Sequence, residues 1–207
     1  EGLISNKINK VYGILNGTTN YILSTMESTG NNFSEVLNSA KKLGLAETNP
    51  ISDLNGSDAA SKIRILSSIC FNKLISKNNI LTEGIQNINL SDILHAKKLG
   101  FKIKLLAISE IKNNKLIERV HPCLVDKNSY IGNTNGVMNT VIVNGIPIGE
   151  SIFQGEGAGS KPTATSVLSD IISLSSKELK SASPNKKNFE TIDISKRFGS
   201  YYLRFST

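Results

Sequence analysis

The sequence contains no tryptophan, and it has only two cysteines and two histidines in 207 residues. Cys70 and Cys123 both lie among apolar residues without metal-ligand spacing, so we interpret both as reduced core residues and name no metal ligands. No apolar run approaches the roughly 18 residues that a membrane span needs, and the chain does not open on a signal peptide. We therefore expect a cytoplasmic protein with reduced thiols and no membrane partner.

Arginine is also scarce, although the formal net charge is +7. The chain has arginine only at Arg64, Arg119, Arg197 and Arg204, and its lysines are scattered among asparagine and serine. No recognition helix, zinc spacing or aromatic and basic RNA motif accompanies them, so we expect no nucleic-acid partner. The composition is that of a globular protein, and the length suits one domain with a sizeable core.

Five stretches have apolar residues at helical spacing. The first follows the turn at Asn16-Gly17-Thr18, the second opens at Ser34, the third is capped by Ser57, and a short one covers residues 91–99. The fifth follows a glycine-rich stretch, and its inward-facing residues are expected to be Val167, Leu168, Ile171 and Leu174. These stretches predict helices that each present one apolar side to a core.

Alternation of apolar and polar residues begins at residue 101, where Lys102 and Lys104 separate apolar neighbours. It predicts strands over residues 101–110, 116–125, 137–143 and 146–153, with the last two joined by a turn at Asn144-Gly145. Earlier in the chain, Val11, Ile14 and Leu15 indicate an entry into the core without defining an element. We expect an α+β fold, in which a mainly hairpin-connected sheet is covered on one face by helices.

Residues 44–62 hold the densest group of chemically useful side chains: Glu47, Asp53, Asp58 and Lys62. Asp58 and Lys62 are four residues apart on one predicted helix, so they share a face near its start. Carboxylates and a lysine that converge can bind a polar substrate and move a proton. An exposed ion pair beside a polar loop has the same spacing, and the spacing alone leaves both interpretations open.

Three other features have two interpretations each. The Asn-Gly-Thr-Thr-Asn string from Asn16 can contact a ligand through backbone amides, or it can simply cap a helix. The stretch from Gly155 to Thr163 completes neither a P-loop nor a dinucleotide fingerprint, but it brings glycines close to a helix start. His121 can carry a proton, although we interpret it as structural, and we expect His95 on the surface.

The long motif over residues 44–62 resembles the substrate-binding signature of homoserine dehydrogenases. Three other segments agree with the family in the same order: GILNGTTNYIL from Gly13, EGI from Glu83 and GEGAGSKPTATSV from Gly155. The resemblance extends to about residue 180. Two positions depart from it, because Leu45 stands where an aromatic residue is frequent and Asn49 where aspartate usually precedes proline.

The resemblance implies hydride transfer between NADP or NAD and the pair L-homoserine and L-aspartate 4-semialdehyde, in the biosynthesis of threonine and methionine. By analogy with the family, Lys62 would donate the proton, Asp58 would orient Lys62 and bind substrate, and Glu47 would bind the substrate ammonium. Asp53 would be a weaker member of the same pocket. Gly159 would contact the cofactor. The family resemblance also implies a homodimer formed by the sheets.

The same resemblance divides the chain into residues 1–179 as catalytic and dimerisation domain, 180–199 as linker and 200–207 as the truncated start of a possible amino-acid-sensing ACT domain. The nucleotide-binding half of the family, with a second lysine and the sodium ligands, would precede Glu1. A different interpretation is a non-catalytic dimerising or amino-acid-binding module that lacks the hydride-donor domain.

Overall fold

The computed structural model describes residues 2–73, 80–175 and 199–205. The strands in these ranges are β1 Lys7–Ile14, β2 Leu81–Thr82, β3 Phe101–Lys112, β4 Lys115–Asp126, β5 Met138–Ile146 and β6 Gly149–Glu156. The helices are α1 Gly17–Thr29, α2 Phe33–Lys42, α3 Ile51–Leu54, α4 Ser57–Phe71, α5 Leu90–Lys98, α6 Tyr130–Asn133 and α7 Ser160–Ser175. None of these helices is long and apolar enough to cross a membrane.

The strands form a single sheet in the order β2-β4-β3-β1-β5-β6. Two antiparallel hairpins, β3–β4 and β5–β6, lie on either side of β1, which pairs antiparallel with β3 and β5. At one edge the short β2 pairs parallel with β4. The predicted α+β fold with a mainly hairpin-connected sheet is confirmed, although β1, the strand that joins the two hairpins, had not been predicted as a strand.

Helices cover one face of this sheet and form the main core with it. The sheet contributes Val11, Leu105 and Val120, each at most 3% exposed. They belong to one apolar cluster with residues of α1, α2, α4 and α5, among them Ile22, Met26, Val36, Ile63 and Ile93. Because burying one such side chain contributes about 1.5 to 3 kcal/mol, this cluster holds α1 and α4 firmly on the sheet.

The opposite face of the sheet carries a smaller apolar cluster, formed by Ile14, Leu106, Ile108, Ile131 and Ile142. Only Ile131 comes from a helix, the single-turn α6. Tyr12, Cys123, Val125 and Ile152 pack around this cluster and are only partly buried. The described part of the chain therefore leaves an apolar margin on this face that a second protein surface can cover.

The turn of the last hairpin lies at a different place from the predicted one. Asn144 and Gly145 are inside β5, where they pair with β1, and the chain reverses over residues 146–148 before Gly149 pairs with Gly145. Pro147 has no amide hydrogen, so it cannot continue the ladder. The turn predicted at Asn144-Gly145 was wrong because pairing with β1 keeps these two residues in the strand.

Two helices begin differently from the prediction. The cap of α2 is Asn32, two residues before Ser34, and its side chain forms a capping box with Glu35. At α4 the cap position belongs to Gly56, with a φ of 84°, so Ser57 is the first helical residue and not the cap. Glycine adopts this left-handed conformation without a steric penalty, which explains why the turn before α4 uses it.

The Glu83-Gly84-Ile85 motif packs against the loop that precedes α4. The Ile85 amide donates to the Leu54 carbonyl oxygen at 2.9 Å, and the Ile85 side chain is fully buried. A Cβ atom added at Gly84 would lie 2.0 Å from the Leu54 oxygen, so only glycine allows this approach. The motif thus holds in place the short helix that carries Asp53.

Lys104 is only 1% exposed, although its alternation with apolar residues predicts the solvent side of β3. Its Nζ lies within hydrogen-bond distance, 2.6 to 3.3 Å, of oxygens of four residues: Asn20, Ser24, Thr134 and Asn135. Asn20 and Ser24 belong to α1, and Thr134 and Asn135 directly follow α6, so these two segments enclose the Lys104 side chain. The prediction was wrong because alternation identifies which face a residue is on, not whether that face is exposed.

Lys104 also makes stability depend on pH. Burial lowers its pKa from 10.5 to about 8, with Lys102 adding to the decrease and Glu27 opposing it. Between these values the unfolded chain binds more protons than the folded one, so the free energy of unfolding rises with pH. We expect this rise between about pH 8 and 10.5 in the wild type and in a Lys98→Met control, but not in Lys104→Met. Urea unfolding across this range checks it, and parallel curves for all three proteins would contradict it.

The last described helix, α7, packs differently from the prediction. Val167, Leu168, Ile171 and Leu174, which were expected to face inward, are 53% to 60% exposed, and no residue of α7 is buried. The inward orientation was wrong because the described elements do not cover this helix. Its helical start after the glycine-rich loop is as predicted.

Residues 199–205 return to the start of α5. The Tyr202 hydroxyl donates to Asp92 Oδ1 at 2.9 Å, the Arg204 guanidinium forms an ion pair with Asp92 Oδ2, and it also donates to the Asn87 carbonyl oxygen. Asp92 is only 3% exposed, so these contacts supply a buried carboxylate with a countercharge. Of the predicted linker, residues 180–198 lie outside the described residues.

Candidate active site

Asn16 connects the beginning of α1 to the loop and helix that carry the predicted site. Its side-chain oxygen accepts from the Thr19 amide at 2.9 Å, so it caps α1 as expected. Its Nδ2 donates both hydrogens to carboxylates, at 2.8 Å to Asp53 Oδ1 and at 3.0 Å to Asp58 Oδ2. Two of the four predicted site residues therefore meet at one amide group.

Lys62 completes this cluster. Its Nζ lies 2.7 Å from Asp58 Oδ2 and donates to the Leu15 carbonyl oxygen at 3.1 Å. The Lys62 side chain is 47% exposed and that of Asp58 29%, so the pair is open to a ligand from solvent. The pair has the i,i+4 spacing of an ordinary surface ion pair, but its connection to Leu15 and Asn16 makes it part of a larger network.

The contacts of the cluster set a direction for the Lys62 ammonium. An ammonium has three hydrogens, of which one points to Asp58 and one to the Leu15 carbonyl. The third hydrogen remains available for an oxygen atom of a ligand that enters from the exposed side. Lys62 can therefore donate a hydrogen bond, or a proton, to a carbonyl oxygen placed there.

Glu47 lies on the loop between α2 and α3 and is exposed. The structure shows no hydrogen bond or ion pair for it with the other described residues. The loop itself is tied to α1, because the Thr18 hydroxyl donates to the Leu45 carbonyl oxygen at 2.8 Å. The structure thus places Glu47 two residues beyond an anchored point, without bringing it into contact with Asp53, Asp58 or Lys62.

Gly159 lies at the end of the loop between β6 and α7, with a φ of 118°. An added Cβ atom would meet only Pro162 Cδ, at 3.7 Å, so the space around it is open. Near the same loop the Asn139 side chain packs against Gly157, and Asn139 Oδ1 is buried with no hydrogen-bond partner among the described residues. The open backbone at Gly159 leaves room for the close approach of a ligand.

Sequence reasoning missed three polar contacts. Asn16 was predicted to cap a helix or to take part in a contact through backbone amides, but its side chain also reaches Asp53 and Asp58. Cys123 Sγ lies 3.3 Å from His121 Nδ1, so His121 does have a cysteine neighbour, and the i,i+2 spacing along β4 was the available signal. His95 is exposed, as expected.

The third missed contact is Glu118, a carboxylate on β4 that faces α4. It accepts from the Ser67 hydroxyl at 2.7 Å and from the Ser109 hydroxyl at 3.4 Å. Burial raises the pKa of Glu118, and these hydroxyls together with Arg64 oppose the increase. The described residues contain no group of three or more histidine, cysteine or acidic side chains that could hold a metal ion.

The fold and this cluster define an α+β domain in which two carboxylates, an amide and a lysine form a polar site at the beginning of two helices. The family model of homoserine dehydrogenase matches residues 1–172. The chain therefore belongs to the homoserine dehydrogenase family, an oxidoreductase family of amino-acid biosynthesis, as the motifs predicted.

Individual relatives agree with this assignment. The homoserine dehydrogenase of Synechocystis sp. is 46% identical over 178 residues, which cover 84% of this chain and 41% of the relative. The Pseudomonas aeruginosa enzyme is 44% identical over 172 residues, covering 83% and 40%. This chain thus spans about 40% of the length of the relatives that it matches.

Solved structures show the same fold. A homoserine dehydrogenase from Thiobacillus denitrificans matches with a TM-score of 0.84 and 41% identity, covering 88% of this chain and 42% of that one. A hyperthermophilic archaeal homoserine dehydrogenase mutant, solved in complex with NADPH, matches with a TM-score of 0.69 at 24% identity, covering 84% and 50%. At that identity the second match concerns the fold alone.

Proposed function

We propose that this chain carries the substrate site and the dimerisation sheet of an enzyme that interconverts L-homoserine and L-aspartate 4-semialdehyde. The observation that supports this most directly is the Asp53, Asp58 and Lys62 cluster, because these side chains converge in a member of the family. NADPH or NADH, when bound, supplies the hydride.

Each residue of the site has a proposed task in aldehyde reduction. Lys62 hydrogen-bonds the aldehyde oxygen and transfers a proton to it as negative charge develops. Asp58, 2.7 Å from Lys62 Nζ, forms an ion pair with the ammonium and directs it. Glu47 binds the substrate ammonium, and Asp53 adds negative charge to the polar end of the pocket. Gly159, with open space around it, allows the nicotinamide end of the cofactor to approach.

We further propose that the complete enzyme contains this chain after a nucleotide-binding domain and functions as a cytoplasmic homodimer. The exposed apolar residues of α7 support a contact with that domain, and the apolar margin of the second sheet face supports the dimer. Residues 1–179 would then be the catalytic and dimerisation domain, 180–199 the linker and 200–207 the start of a regulatory domain.

This proposal predicts that the chain expressed alone folds and dimerises but does not reduce aspartate semialdehyde with NADPH or NADH. The physical reason is that the chain contains the polar site and an apolar sheet face, but no dinucleotide fingerprint. Light scattering measures the molar mass of the chain, and the loss of NADPH absorbance measures turnover by the chain and by the complete enzyme. Turnover by the chain alone would contradict the need for a nucleotide-binding domain.

A second candidate is a dimerising or amino-acid-binding module without catalysis. Its support is the apolar margin of the second sheet face, which a second protein surface can cover. The same experiment separates the two candidates. If the complete enzyme reduces aspartate semialdehyde, the module is excluded. If it is inactive but the chain binds homoserine in a calorimeter, the module is favoured.

A further inference from the structure

Asn16 is more deeply buried than any other side chain of the polar cluster. It is 5% exposed, whereas Asp58 and Lys62 are both partly open to solvent. The side-chain amide of Asn16 makes three hydrogen bonds. Its oxygen accepts from the Thr19 amide, and its two Nδ2 hydrogens are donated to Asp53 and Asp58. A buried side chain with every contact satisfied has one defined orientation.

The chemistry of the neighbours allows only this orientation of the amide. If the oxygen and nitrogen exchanged places, the oxygen would face two carboxylates and the nitrogen would face the Thr19 N–H. Both contacts would then be repulsive. The cap of α1 therefore forces the NH2 group toward Asp53 and Asp58. The Asn16 side chain thus connects the N-terminal end of α1 to the carboxylates of Asp53 and Asp58.

We infer that Asn16 is the positioning residue of this site: it holds Asp53 and Asp58 side by side, and through Asp58 it directs the Lys62 ammonium. Asp58 Oδ2 accepts from both Asn16 Nδ2, at 3.0 Å, and Lys62 Nζ, at 2.7 Å. Without the amide, two like charges would face each other and separate. This inference rests on the proposed function for its kinetic test.

The position next to Asn16 reinforces the same arrangement. The Leu15 carbonyl oxygen, which belongs to the preceding residue, accepts from Lys62 Nζ at 3.1 Å. Backbone and side chain at residues 15–16 therefore contact both members of the Asp58 and Lys62 pair. Any shift of Asn16 changes the two contacts together, so we expect its effect on turnover and not only on substrate affinity.

The test uses two variants of Asn16 in the complete enzyme. Asn16→Ser keeps a capping hydroxyl but is too short to reach the carboxylates, and it adds no charge. Because hydrogen bonds to charged groups are strong, we expect kcat to fall about ten- to hundredfold, with a small change in melting temperature. The matched control is Asn32→Ser at the cap of α2, which should leave kcat unchanged.

Asn16→Asp separates positioning from capping through its pH profile. Aspartate caps a helix as well as asparagine does, but when ionised it puts a third carboxylate against Asp53 and Asp58. When protonated it can donate one hydrogen to them. We expect aldehyde reduction by this variant to recover as pH falls from 8 to about 6, relative to the wild type at each pH.

A third measurement does not depend on activity. In Asn16→Ser the loosened Asp58 holds Lys62 less firmly, so Lys62 should react faster with acetic anhydride, as read by mass spectrometry. Asn32→Ser should label at the wild-type rate. Unchanged kcat, pH profile and labelling in both Asn16 variants would overturn the positioning role even if the enzyme is an active homoserine dehydrogenase. Faster labelling in an inactive complete enzyme would support the positioning role and refute the proposed reaction.

Discussion

Replacing Lys62 with alanine is expected to lower the turnover of the complete enzyme by about 10² to 10⁴-fold, the usual contribution of a general acid. Hydride that arrives at the aldehyde carbon leaves negative charge on the oxygen. The Lys62 ammonium, with one hydrogen not committed to Asp58 or Leu15, can transfer a proton to that oxygen. Steady-state kinetics in the direction of aldehyde reduction measure this loss.

The Lys62→Arg variant distinguishes a lysine that transfers a proton from one that only supplies a positive charge. A guanidinium keeps the ion pair with Asp58 but does not release its proton in the pH range where an enzyme works. We therefore expect the arginine variant to be nearly as inactive as the alanine variant. A surface ion pair without a catalytic role predicts the opposite, since arginine would preserve it. An active arginine enzyme would remove Lys62 from the proposed mechanism.

Stability provides the control for both Lys62 variants. Exposed i,i+4 ion pairs contribute only about 0.3 to 0.5 kcal/mol, so the melting temperature should change little. Lys98→Ala, at the end of α5, is the matched variant of a lysine away from the cluster, and it should keep wild-type turnover. A large fall in melting temperature with Lys62→Ala would mean that lost turnover reflects unfolding.

Replacing Glu47 with glutamine is expected to raise the Michaelis constant for homoserine about ten- to hundredfold, because a charge-assisted contact contributes roughly 1.5 to 3 kcal/mol. Glu47 is exposed and has no hydrogen bond or ion pair with the other described residues, so its carboxylate is available to an ammonium. The turnover number should fall less than the affinity, since Glu47 does not contact Lys62.

Glu35→Gln is the matched control for Glu47. It removes a carboxylate at the start of α2, and glutamine preserves the capping box with Asn32. Its Michaelis constant for homoserine should equal that of the wild type. If Glu47→Gln also leaves this constant unchanged, Glu47 lies outside the substrate pocket, and the ammonium must bind elsewhere.

Local chemistry made parts of the fold predictable. The hairpin of β3 and β4 follows from alternation on either side of Asn113-Asn114, which both adopt positive φ values. The helix α4 follows from its apolar spacing. The absence of a turn at Asn144-Gly145 was not predictable in this way, because pairing with Lys10 and Ile8 of the distant β1 holds these residues in the sheet.

Exposure was the property that sequence predicted least well. Lys104 and the apolar residues of α7 both follow clear periodic patterns, yet the lysine is buried and the apolar residues are exposed. Periodicity assigns a residue to a side of its own element. Whether another element covers that side depends on contacts between distant parts of the chain, or with parts outside it.

The candidate site depends partly on spacing along the sequence and partly on contacts between distant parts of the chain. The sequence by itself determined that Asp58 and Lys62 share a helix face, because four residues make about one helical turn. It also placed Glu47 and Asp53 on the loop that precedes this helix, whereas the structure puts Asp53 on the short helix α3. Only the tertiary structure decided that Asn16 joins Asp53 and Asp58, across separations of 37 and 42 residues. A single amide can meet two carboxylates so distant in the chain only after α1 and α4 pack on the same sheet face.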